Sequence, residues 1–168
     1  MPMAVEANVV GRRVARLGVQ PGWVPAWLGR NLVGVVPLRL KVSLPPDLTA
    51  PSLAREAAVQ LAPAVPGETL DDVRLVVSEL VTNAVQHADL RREETIGLDL
   101  DVGPEHVEVI VRYPEHREFE RTLSLEPDEL SGWGLFLVDR IADRWSVVAT
   151  QGFTEAWCEL DLLHPEAA

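Results

Sequence analysis

Residues 69–88 read T-L-D-D-V-R-L-V-V-S-E-L-V-T-N-A-V-Q-H-A. Leu70, Val73, Val76, Val77, Leu80, Val81 and Ala84 recur at three- and four-residue spacing, which predicts one long helix with a single apolar face. Glu79, Asn83 and His87 stand at i, i+4 and i+8 and so form a line along that helix. At about 100° per residue the line borders the apolar stripe instead of opposing it. A carboxylate, an amide and an imidazole at the rim of a core are placed to meet a ligand held over a sheet. A solvated row of polar residues has the same spacing.

The flanking segments tell what this helix packs on. Upstream, Leu38, Leu40, Val42 and Leu44 alternate with Arg39, Lys41 and Ser43, the pattern of a half-buried strand ended by Pro45-Pro46. Pro51–Ala62 reads as a helix with its proline in the first turn and Leu53, Ala57, Ala58 and Leu61 inward. Downstream, Ile96–Val102 and Val107–Tyr113 alternate as strands around Gly103-Pro104. From Pro114 to Ser131 no period holds, so a loop of about 18 residues is expected, long enough to act as a lid. Gly134–Arg144 reads as a third helix, and Trp145–Thr150 and Phe153–Leu162 as a hairpin around Gln151-Gly152. Short links between consecutive strands favour antiparallel pairing. The expected fold is an α+β two-layer sandwich: a mixed, mostly antiparallel sheet of about five strands, three helices on one face. The expected domain spans 38–163, after an extension of 1–37 and before a tail of 164–168.

Composition narrows the chemistry. The chain has 168 residues with 47% hydrophobic and 24% charged, a globular balance for one domain. Its one cysteine, Cys158, excludes an internal disulfide and zinc sites built on paired cysteines. Its one lysine, Lys41, excludes a G-K-[ST] phosphate loop. No apolar run is long enough for a membrane helix and no secretory signal is legible, so a cytoplasmic protein is expected. The net charge of −11 is unevenly placed: residues 1–40 hold five arginines against Glu6, and the acids dominate the rest. An acidic body disfavours direct nucleic-acid contact and favours basic partners.

The basic head is the least regular part. Val10, Val14 and Leu17 suit a short amphipathic helix with Arg12, Arg13 and Arg16 facing away. Trp23, Val24, Trp27 and Leu28 form a second apolar cluster beyond Pro21-Gly22. Such a head either packs on its own domain, docks on a partner through its tryptophans, or rests on a membrane surface.

The second chemical signal is Ser131-Gly132-Trp133-Gly134-Leu135, which follows the long loop and opens a helix. Glycines let backbone amides approach an anion, and a helix N-terminus presents free N–H groups to it. A simple loop-to-helix turn has the same composition. Together, E-L-V-T-N-A-V-Q-H-A on the long helix and S-G-W-G-L-F-L-V-D-R-I-A-D-R-W after the loop resemble the histidine-kinase-like ATPase domain. This is the domain of the gyrase, heat-shock chaperone, histidine kinase and MutL superfamily, with its Bergerat-type ATP-binding fold. More narrowly, residues 38–162 are similar to the stand-alone anti-sigma-factor serine/threonine kinases of actinobacterial type.

The resemblance implies ATP and Mg²⁺ as ligands. It makes Glu79 the general base and Asn83 the Mg²⁺ holder. His87 falls at the end of the same box near the nucleotide, and Gly132, Gly134 and Leu135 fall at the phosphate turn. It implies a sigma factor or its antagonist as protein partner, under nucleotide control, and is compatible with a homodimer. One position departs from the family. Where an Asp-x-Gly turn should read adenine, this chain has Val111-Arg112-Tyr113-Pro114-Glu115, so only Tyr113 offers a stacking surface for a base. Two functions therefore stand: an ATP-dependent regulatory kinase, or a degenerate domain of the same fold acting as a protein-interaction module.

Overall fold

The protein was analysed as a computed structural model, which describes residues 7–10, 38–116, 133–149 and 152–162. Within them lie strands β1 (Ala7–Val10), β2 (Leu38–Leu44), β3 (Ile96–Val102), β4 (His106–Glu115), β5 (Arg144–Ala149) and β6 (Gly152–Asp161). The helices are α1 (Ala50–Val59), α2 (Gly67–His87) and α3 (Trp133–Ile141). The strands form one sheet in the order β1-β5-β6-β4-β3-β2, and every pairing is antiparallel. The α+β sandwich expected from the sequence is therefore present.

Alternation sorts the strands into two faces. Ile96, Leu98 and Leu100 of β3, Val107, Val109 and Val111 of β4, and Cys158 of β6 are all fully buried on the face that the helices cover. Against them α2 packs Val73, Val76, Val77, Leu80, Val81 and Ala84, the stripe read from its spacing. Burial pushes the Cys158 thiol up, so it is a small apolar core residue and not a nucleophile.

α1 lies beside α2 through small side chains. Ala50, Ala54, Ala57 and Ala58, with Leu61 beyond the helix end, are buried, and this lets the two backbones approach closely. Leu53, expected inward, is instead exposed. It stands about 100° round the helix from Ala54, and the alanine stripe has already taken the contact face. A hydrogen bond of 2.6 Å from Arg55 Nη1 to Ser78 Oγ ties the pair. Before α1, the Asp47 carboxylate accepts from the Thr49 backbone N–H and hydroxyl, which holds it below its ordinary range.

Three boundaries differ from expectation, one of them at Arg144, which was expected to end the third helix and instead opens β5. Pro114 and Glu115 do not open a loop: they continue β4, opposite Phe153 and Gly152 of β6. β3 stops pairing at Gly97 opposite Arg112, so past that point β4 pairs, among the described strands, with β6 alone, and a proline is tolerated there. Val10, expected in a helix, ends β1, which pairs with β5 as a sixth strand. The remainder of that expected helix, the tryptophan cluster, residues 117–131 of the expected lid and the tail all lie outside the described residues. Gly152 enters β6 at φ 114°, a backbone state that favours glycine.

Candidate nucleotide site

The long helix and the glycine turn are separated by some fifty residues of sequence, and the fold brings them into contact. α3 packs across α2 so that Gly134, in the first turn of α3, faces the Glu79–Asn83 step. A methyl group at the Gly134 α-carbon would lie 2.9 Å from Glu79 Oε2, 3.3 Å from Asn83 Oδ1 and 3.4 Å from Asn83 Nδ2. Glycine is therefore needed for close approach. No positive φ demands it.

Neighbouring contacts hold this crossing. Leu135 is half-buried and packs on the core beside Val138, which is fully buried. One turn on, the Trp145 indole N–H donates to Asp139 Oδ1 at 3.0 Å, fastening α3 to the start of β5. Asp139 was not singled out in the sequence, although its i+6 spacing to a tryptophan was a usable signal.

Asn83 is half-exposed overall, yet its Nδ2 is buried and has no hydrogen-bond partner. Buried polar groups are normally paired, so an orphan beside a carboxylate is a place where a ligand completes the bonding. The same amide, turned about χ2, presents its oxygen at that point. An amide oxygen is a suitable Mg²⁺ ligand when phosphate oxygens and water fill the other positions. Among the described residues there is no cluster of three His, Cys, Asp or Glu that would hold a metal alone. A cation here is thus one shared between Asn83 and a phosphate, and the donors present fit that role.

His87 is the last residue of α2, one turn beyond Asn83 and half-buried. Tyr113 lies on the helix-covered side of β4, partly buried against the core, opposite Thr154. Gly132 lies outside the described residues.

The profile of the histidine kinase-like ATPase domain matches residues 44–157, from the end of β2 to within β6. The chain belongs to this family. The matched span includes α2 with Glu79 and Asn83, and α3 with Gly134. No curated protein matches the chain. The ATPase-like domain is consistent with ATP binding, and no helix of the described residues is long and apolar enough to cross a membrane.

Proposed function

We propose that this chain is an ATP-binding regulatory protein of the anti-sigma-factor kinase type, with its nucleotide at the crossing of α2 and α3. The observation that carries this reading is the approach of Gly134 to Glu79 and Asn83, which gathers a carboxylate, an unpartnered amide and a helix N-terminus at one point. In this reading the amides around Gly132 and Gly134 receive the phosphates, and the helix dipole of α3 favours their charge. Asn83 would hold a Mg²⁺ ion, whose charge would offset that of the phosphates. Glu79 orients the attacking hydroxyl, of water or of a serine on an antagonist protein, and accepts its proton. His87 borders the nucleotide, and Tyr113 stacks on its base.

The acidic body supplies the partner preference: a basic protein surface, such as the DNA-binding region of a sigma factor, is complementary to it. A dimer and a cytoplasmic setting accord with this role.

Titration of the purified chain with ATP, with and without Mg²⁺, tests the reading. Binding that needs Mg²⁺ and is lost in Asn83→Ala supports it. Absence of binding to any nucleotide overturns it in favour of the second reading, a degenerate module that binds protein only. One observation favours that second reading: β4 runs straight through Tyr113, Pro114 and Glu115 in register with β6, where the family's adenine-reading Asp-x-Gly turn is expected.

A further inference from the structure

The sheet has two faces, and the described helices cover only one of them. On the other, outward side chains of the central strands form a charged row in which Arg39, Asp101, Glu108, Glu159 and Arg144 stand opposite one another across five strands. A row on an open face should be solvated, yet Glu108 is 2% exposed and Asp101 7%. Glu108 Oε1 accepts from the Trp157 indole at 2.6 Å, and Asp101 Oδ2 from Arg39. Asp101 Oδ1 is buried with no partner. These carboxylates are withdrawn from water on a face where no described helix lies.

The chain path says what can cover them. β1 ends at Val10 on one edge of the sheet and β2 begins at Leu38 on the opposite edge. The 27 residues between must therefore cross the whole sheet, five strand spacings or about 24 Å. Fully extended they would reach roughly 90 Å, so length does not force the shortest route. The helix-side face is filled by α1 over β2, α2 over β4 and β6, and α3 over β5. Strand directions put both Val10 and Leu38 toward the same end of the sheet, the end at which the Asp101–Glu108 row lies. Residues 11–37 contain Arg12, Arg13, Arg16 and Arg30 and no acid.

We propose that residues 11–37 of this same chain dock across the face of the sheet opposite the described helices. Arginines of the segment supply the donors that the acidic row lacks, and its apolar residues shield Trp157. An unpaired buried carboxylate oxygen is costly, and a guanidinium is the group best shaped to satisfy it. The head is on this account an integral second layer and not an arm reserved for a partner or a membrane. The proposal does not depend on nucleotide binding.

Zero-length carbodiimide coupling of the full chain tests it. The natural sequence has one lysine, so Lys41→Arg removes the side-chain amine and Arg12→Lys, Arg13→Lys, Arg16→Lys and Arg30→Lys each restore one in the head. Peptide mass mapping then identifies the carboxylate joined. At least one variant should couple within one chain to Asp99, Asp101, Glu155 or Glu159. Coupling confined to helix-layer acids such as Glu56 or Asp71, coupling only between chains, or none in any variant overturns the proposal. On the unmodified protein, trypsin should cut after Arg16 and Arg30 at least tenfold more slowly than in a free peptide of residues 11–37. Equal rates overturn it as well.

Discussion

Gly134 and Glu79 stand so close that one added methyl would come within 2.9 Å of the Glu79 carboxylate. The two residues lie on different helices, and their contact sets the depth at which α3 crosses α2. Because the obstructing atom is the tip of a flexible side chain, the glutamate can swing aside more cheaply than the helices can part.

Gly134→Ala should accordingly disturb the site more than the fold. Alanine is the better helix former by roughly 0.5–1 kcal/mol, which offsets the crowding at Asn83. Thermal unfolding should shift little, while any ATP hydrolysis or phosphotransfer should fall at least tenfold as Glu79 leaves its position. A loss of stability above about 3 kcal/mol would show that the crossing itself cannot relax.

Asn83→Ala removes a buried donor that has no partner, so it should cost little stability, below about 1 kcal/mol. The same change should abolish the Mg²⁺-dependent part of nucleotide binding. Chemical denaturation and calorimetric titration of the one variant separate the two effects. Such a trade of stability for function is usual at binding sites.

Base selectivity should be weak. With no Asp-x-Gly turn in the Val111–Glu115 strand end to accept the adenine amino group, ATP and GTP should bind within several-fold of each other. Tyr113→Ala should weaken both alike, by on the order of 1–3 kcal/mol if the ring stacks on the base. Competition between the two nucleotides measures this directly, and a strong preference for ATP would place the adenine-reading group elsewhere.

Glu108 gives a pH signature. Burial, with Glu159 and Asp101 nearby, pushes its carboxyl from the ordinary 4.5 up to about 7 against the lowering effect of the Trp157 hydrogen bond and Arg39. The folded state thus holds this proton more tightly than the unfolded chain does. Its stabilising contribution is complete below about pH 4.5 and declines as pH rises through about 7. Glu108→Gln keeps an acceptor for the indole and removes the titration. Relative to that variant, the wild type should lose up to roughly 3 kcal/mol between pH 4.5 and 8 in denaturant unfolding. Parallel profiles would show that Glu108 titrates normally.

Periodicity alone determined much of this protein. The stripe of α2, the alternation of β2, β3, β4 and β6, and the glycine turn before α3 are local patterns, and local patterns are readable because side-chain direction repeats with backbone geometry. The line of Glu79, Asn83 and His87 follows from the same arithmetic. Tertiary structure decided what those patterns touch. That Gly134 comes to rest on Glu79 and Asn83 depends on how α3 crosses α2, which no spacing within either helix encodes. That Leu53 faces water follows from the alanines winning the contact with α2, a competition between faces of similar polarity. Pro114 stays in a strand because β3 has already ended beside it. Glu108 and Asp101 look like ordinary outward residues of alternating strands, and only their neighbours in the folded sheet show them withdrawn from water.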